Sequence, residues 1–339
     1  MPSGVRVVVI DYDGADVLPR CLASLLSTVG DIPVTVVDNA STVPSQSLVP
    51  ENLKDRINVV RLERNSGYAG AIAWAWDNLA EKYLAITNND LEFTPGWLDR
   101  LVETADKTGA YAVSAVIVHD KETELEKSTN ASLNPLFYLI PGVFKDRTKA
   151  VYPSGACFLL RRDKNIPCPV DPEYFLYYED AYVGLFLRAI GKEVTQCPDA
   201  VVRHAGSHSV KRSDSRKIAF LQERNRLLTY IYFTNLTELI TLSPCVFYDS
   251  LIKPITCFAR HKPFWATVSV HYWILFHFFS IWRKRSSMRT VPGFDARRNY
   301  PYFSGKWFPD GVPTASVHNA LSKWWWKLVG IPVDTEAGK

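Results

Sequence analysis

The sequence predicts an α/β fold: a mostly parallel, doubly wound sheet flanked by helices, followed by a helical C-terminal module. Two observations carry this reading. Through the first half of the chain, short β-branched runs alternate with helix-patterned segments, the signature of βαβ units. Beyond Arg216 the composition shifts to aromatics and long apolar runs punctuated by cations, which divides residues 1–215 from residues 216–339.

In chain order, the expected strands are Val5–Asp11, Val34–Asp38, Asn58–Leu62, Tyr83–Thr87 and Tyr111–Val116. Helices are expected at Val17–Val29, Tyr68–Leu79 and Pro95–Lys107, the last with Pro95 in its first turn and Thr94 as its cap. Residues His119–Lys149 lose this rhythm: charges at Asp120–Glu124 precede an apolar stretch, Leu133–Val143, broken by Pro135 and Pro141, and read as an excursion or flap. Order resumes with Ser154-Gly155-Ala156 entering the apolar run Cys157–Leu160. An aromatic cluster, Tyr174–Tyr178, then leads into a helix from Glu179 that stops at Gly191. Two further strands, Glu193–Gln196 and Ala200–Arg203, end at His204.

Composition narrows the function classes. A formal net charge of +4, with Lys and Arg scattered through the catalytic half, disfavours nucleic acid as a partner. Six cysteines, at 21, 157, 168, 197, 245 and 257, include no C-x-x-C pair, so they read as free thiols in a reducing compartment rather than as a zinc or redox site. The N-terminus runs directly into Val7–Ile10 without the charged start, long apolar stretch and cleavage site of a signal peptide, which predicts a cytoplasmic catalytic body. Pro263–Trp282 has 20 residues, close to a bilayer span, but it contains His271, His277 and several hydroxyls. With Trp265, Trp273 and Trp282 on it and Arg283-Lys284-Arg285 after it, this segment is expected to lie on an anionic membrane surface.

Open α/β sheets bind ligands beyond the carboxyl ends of their strands. Polar residues gather there: Asp11-Tyr12-Asp13, Asp38-Asn39-Ala40-Ser41, Arg64-Asn65-Ser66-Gly67-Tyr68 and Asn88-Asn89-Asp90. Any one of these is ordinary turn chemistry; four in order point to a site. Asp11–Leu18 holds only Gly14, so the glycine fingerprint of a dinucleotide oxidoreductase is missing, and no G-x-x-x-x-G-K-[ST] phosphate loop occurs. A nucleotide bound without a glycine cradle calls for a divalent metal on oxygen ligands, with Asp90 as the natural ligand.

These segments, with Thr87–Leu98, resemble the successive donor-site motifs of family-2 glycosyltransferases. Ser154-Gly155-Ala156, Tyr174–Asp180 and His204 with Gly206-Ser207 and Ser209 resemble the acceptor-side half of the same family, especially its rhamnosyltransferase-like branch. The resemblance covers about residues 5–230 and implies an A-type glycosyltransferase fold. By position it implies that Asp38 contacts the nucleoside base, that Asn65 and Gly67 lie by the nucleotide together with Asp11, Asp13 and Asn89, and that Asp90 and His204 hold Mg²⁺ or Mn²⁺ on the diphosphate. Asp180 would be the general base, with Glu179 its close competitor and Gly155 and Tyr178 on the acceptor side. Arg224 and Arg226, in Glu223-Arg-Asn-Arg-Leu-Leu, would contact donor phosphates, and His208 is the alternative metal ligand. Two departures stand out: Tyr12-Asp13 replaces the usual Tyr-Asn, and Glu179-Asp180-Ala181-Tyr182-Val183 lacks the second acid of Glu-Asp-x-Asp-Leu. The implied activity is inverting transfer from a nucleoside-diphosphate sugar, dTDP-L-rhamnose first and a UDP-sugar next. The implied acceptor is a growing cell-surface glycan on a polyprenyl diphosphate at the inner face of the cell membrane. The alternative is an inactive membrane-associated scaffold of the same fold.

Overall fold

The computed structural model describes residues 4–119, 132–140, 146–204, 214–259, 263–306 and 315–331. The chain forms two compact units, one of residues 1–130, 146–187 and 192–212, the other of 131–145, 188–191 and 213–339.

The first unit is built on an eight-stranded sheet in the order β3-β2-β1-β4-β9-β6-β10-β5. Its strands are β1 (Val5–Asp11), β2 (Val34–Asp38), β3 (Ile57–Arg61), β4 (Tyr83–Asn88), β5 (Leu91–Phe93), β6 (Ala112–His119), β9 (Cys157–Arg161) and β10 (Val194–His204). β3, β2, β1 and β4 run parallel, as do β6 and β10. Between these blocks β9 lies antiparallel to both β4 and β6, and β5 pairs antiparallel with β10. Every residue of β2 is buried, and all but one of β1, because unbroken runs of Val and Ile suit strands covered on both faces.

α1 (Leu18–Leu26) buries Leu18, Cys21, Leu22 and Leu25, and α3 (Trp97–Thr108) buries Trp97, Leu98, Leu101 and Ala105, the one-sided stripe of a surface helix. α2 (Gly67–Asn78) presents the small residues Ala69, Gly70, Ala71 and Ala75 to the interior. Two expectations are corrected here. Thr94 does not cap α3: its hydroxyl donates to Val201 O at 2.6 Å, and Gly96, left-handed at φ 77°, stands at the cap position instead. The two strands expected at 193–196 and 200–203 are one strand, β10, whose register against β6 shifts between Gln196 and Val201. Pro198, which has no N–H for the ladder, sits within that irregularity.

In the second unit, the hairpin β7 (Ser132–Leu133) and β8 (Leu139–Ile140) precedes α5 (Ser215–Phe233), α6 (Leu236–Ala259), α7 (Phe264–Phe276), α8 (Phe278–Arg289) and α9 (Ala315–Leu328). Arg226 on α5 is buried and donates to Glu223 (2.7 Å), to Asp249 on α6 (2.9 Å) and to the Leu136 carbonyl (2.8 Å). The Tyr138 hydroxyl donates to Asp249 at 2.7 Å, and Lys253 donates to Glu223. Two carboxylates and two cations thus neutralise one another where water is excluded, and they fasten the β7–β8 loop to two helices. The single segment expected at 263–282 is broken at His277, where α7 and α8 bend by 73°. Among the described residues no single helix is long and apolar enough to cross a membrane; this bent pair reaches the necessary length and composition only together.

Candidate functional site

Parallel pairing puts the carboxyl ends of β1, β2 and β4 on one edge, with Asp11 opposite Asp38 and Ile10 opposite Asn88. Asp11 accepts from the Ser45 hydroxyl at 2.6 Å and from the Asn89 side-chain amide. Burial raises its pKa against the opposing pull of these hydrogen bonds. The Gly14 backbone passes so close that a Cβ there would stand 2.2 Å from both Asp11 Oδ1 and Asn89 Nδ2. Asp38 accepts from the amides of Ser41 (2.8 Å) and Ser45 (3.1 Å) and from Arg61 (2.6 Å). Burial pushes its pKa up, but these donors outweigh it and leave the carboxylate below its usual range. Oδ1 of Asp38 accepts one of these bonds and Oδ2 the other two, so Oδ1 keeps a lone pair for a further donor. Asp13, left-handed at φ 52°, accepts from the Thr42 amide at 2.6 Å, so the departure from the family's Asn staples the turn after β2. Sequence reasoning misses Ser45 and Arg61, because Arg61 meets Asp38 only through the register of β2 against β3.

The next loop is held by amides. Asn65 Oδ1 accepts from Gly67 N–H at 2.9 Å and from the Asn39 side chain at 3.2 Å, while Asn39 Oδ1 accepts from Ser66 N–H at 2.9 Å. Gly67 is left-handed at φ 75°, and a Cβ on it would lie 2.2 Å from the Phe175 carbonyl oxygen. Gly67→Ala is therefore expected to lose about 1–2 kcal/mol from the left-handed backbone alone, with the carbonyl clash added. Thermal unfolding checks this; an unchanged melting temperature contradicts it.

The antiparallel β9 brings the acceptor-side residues to this edge. Because Thr87 pairs with Cys157, the chain just before β9 returns to the carboxyl end of β4, where the Ala156 carbonyl accepts from Asn88 N–H at 2.9 Å. Gly155 N–H then donates to Asp180 Oδ2 at 3.2 Å, and Ala181 N–H donates to Asp180 Oδ1 at 2.7 Å at the start of α4 (Glu179–Ala189). Phe175, Tyr177 and Tyr178, just before this helix, all have positive φ (62°, 69° and 66°). Each such residue costs on the order of 1–3 kcal/mol and persists where the surroundings over-determine it, often at functional sites.

The two carboxyls at the head of α4 differ in surroundings. Glu179 Oε2 is buried with no hydrogen-bond partner among the described residues, and burial together with the neighbouring Asp180 charge pushes its pKa up. Burial also raises Asp180, but its two amide donors hold it back. The buried Tyr68 hydroxyl donates to the Gly155 carbonyl at 2.7 Å. Its pKa is raised well above the usual tyrosine value, first by burial and then by the charge of Glu179.

Pairing of β5 with β10 sets Leu91 opposite His204 and so brings Asp90, one residue earlier, to 3.4 Å between its Oδ1 and His204 Nε2. A carboxylate and an imidazole converging at a strand edge suit Mg²⁺ or Mn²⁺, which take their remaining ligands from water and substrate phosphates. Among the described residues no group of three or more such side chains forms a metal centre. His208, with Gly206, Ser207 and Ser209, falls outside the described residues. Arg224 and Arg226 belong to the second unit. Arg224 donates to Asn225 at 2.9 Å and lies over Trp273. Arg226 is engaged on all sides by the ion cluster, so the phosphate contact expected of it is withdrawn.

Residues 6–166 match the family described as Glycosyl transferase family 2. An N-acetylglucosaminyl-diphospho-decaprenol L-rhamnosyltransferase of Mycobacterium tuberculosis (strain CDC 1551 / Oshkosh) is 26% identical over 270 residues, 69% of this chain and 85% of that protein. Among solved structures, GalNAc-T7 with UDP, GalNAc and Mn²⁺ superposes with a TM-score of 0.54 at 14% identity over 68% of this chain and 48% of that one. The mannosyltransferase PcManGT from Pyrobaculum calidifontis, with GDP-Man and Mn²⁺, superposes with a TM-score of 0.50 at 16% identity over 96% of this chain and 88% of its own. Both structural likenesses speak to the fold. The motifs at the strand ends and the match over residues 6–166 make the first unit similar to family-2 glycosyltransferases, the two superpositions show a shared fold, and the mycobacterial rhamnosyltransferase is similar over most of its length.

Proposed function

We propose that the protein transfers a sugar, L-rhamnose from its dTDP ester, to a hydroxyl of a polyprenyl-diphosphate-linked glycan in a single inverting displacement. The observation that carries this reading is the carboxylate of Asp180, which accepts from the Gly155 amide where the chain entering β9 meets the carboxyl end of β4. Asp180 accepts the proton of the attacking hydroxyl as that oxygen bonds to the anomeric carbon and the nucleoside diphosphate departs on the opposite face. Glu179, its pKa also raised by burial and by the Asp180 charge, is the second carboxyl at this helix start. Asp90 and His204 would hold a divalent cation, which would supply positive charge to offset that of the leaving diphosphate. The rhamnose and the lipid-linked acceptor rest on the mycobacterial relative's name, and a UDP-sugar is the next donor.

The test is incubation with dTDP-L-rhamnose or UDP-sugars and N-acetylglucosaminyl-diphospho-prenol, reading product mass and anomeric configuration. Transfer from dTDP-L-rhamnose with inversion is expected, lost in excess chelator, with Asp90→Ala and His204→Ala weakening metal-dependent nucleoside diphosphate binding. Full turnover in chelator overturns the metal, a retained configuration overturns the single displacement, and no turnover with any donor favours the scaffold.

A further inference from the structure

The break at His277 changes what the aromatic C-terminal segment presents. A straight helix would spread its apolar residues along its length; the 73° bend instead gathers them at one corner. Phe276 and Phe279 are 82% and 81% exposed, Leu275 is 69% exposed, and Phe278 lies between them, also exposed. The corner is built rather than frayed: His277 N–H donates to Trp273 O at 3.0 Å, Ile281 N–H donates to His277 O at 3.0 Å, and the His277 ring stacks on Trp273 at 4.1 Å. Contiguous exposed apolar surface of this kind marks an interaction site.

Charge identifies the partner. From Phe264 to Arg289 there is no Asp or Glu, and Arg283, Lys284, Arg285 and Arg289 follow the corner. Arg285 is buried, donating to Ile231 O and lying over Trp282 at 5.3 Å; Arg283 is exposed and Lys284 half-buried. Trp265, 70% exposed, and Trp282, 40% exposed, lie on the two arms, the residue type that settles at the headgroup level of bilayers.

We propose that the elbow Leu275–Phe279 is a monotopic anchor that enters an anionic lipid surface, with Arg283 and Lys284 on the headgroups and Trp265 and Trp282 at the interface. Elbow penetration is on the order of 5–10 Å, into the boundary between headgroups and acyl chains. This deepens the lipid-linked acceptor reading, because it holds the chain on the surface where such an acceptor lies.

Vesicle flotation of the full chain tests it without donor or acceptor. The wild type is expected to float with phosphatidylglycerol vesicles and to stay behind with phosphatidylcholine ones. The F276S/F279S variant, altered only at exposed positions and so unchanged in melting temperature, should lose about thirtyfold or more in partitioning. R283E/K284E should lose more than about fivefold at each site, since each replacement removes a cation and adds an anion. Undiminished flotation of F276S/F279S, or equal binding to neutral vesicles, overturns the proposal. So does a dimer in sedimentation that F276S/F279S dissolves while vesicles are ignored, which would assign the elbow to a second copy. Intact flotation with no transfer to any lipid-linked acceptor would sink the acceptor reading alone.

Discussion

Asp180→Asn is expected to slow transfer by about 10²- to 10⁴-fold, the range for loss of a general base, while nucleoside diphosphate binding persists. The amide keeps the size of the carboxylate but cannot take the acceptor's proton. Near-normal transfer by Asp180→Asn together with none by Glu179→Gln would move the role to Glu179. The pH profile is a second readout. Burial raises Asp180 above the usual aspartate range, so turnover should climb with pH on a limb displaced upward from that range. The sign for stability is opposite to that of an ordinary paired carboxylate. Both acids are harder to ionise folded than unfolded, so their contribution is fully present below the unfolded carboxylate range and is lost as pH rises through the raised folded values.

Arg226→Ala should produce the largest loss of stability, about 3–5 kcal/mol, because it strands Glu223 and Asp249 in the interior of the second unit without their shared cation. Denaturant unfolding measures this. Glu223 sets its pH dependence: against the cost of burial, Arg226 and Lys253 hold its pKa down to about 2. A depressed carboxyl stabilises above its unfolded pKa and stops doing so as pH falls through the folded value, so the wild type should lose this contribution between about 4.5 and about 2. In the double variant Glu223→Gln with Arg226→Met, only part of the loss should return, since Glu223 is no longer an orphaned charge while Asp249 still lacks its cation. If Arg226→Ala unfolds like the wild type, the cluster is not what fastens the β7–β8 loop.

The local chemistry of this protein was legible residue by residue. Apolar runs such as Val7–Ile10 can only be covered strands, and Leu18, Cys21, Leu22 and Leu25 repeat at helical spacing, so β1, β2, β4, α1 and α3 could be placed to within a few residues. The polar strand ends announced a site because parallel strands deliver their carboxyl ends to one edge whatever the loops do. Pairing was not legible, since a ladder joins residues far apart in sequence and leaves no local pattern. Nothing in Ser154–Arg161 says that β9 runs against its neighbours, yet that direction is what hands Gly155 to Asp180. Asp90 meets His204 only because β5 folds back onto β10, and Arg226 looks like a phosphate ligand until Glu223 and Asp249 are seen to surround it. The sequence by itself determined which residue types lie at strand ends and which faces are buried; the tertiary structure alone decided which of those residues touch, because hydrogen-bonded register and exclusion of water are properties of the packed chain.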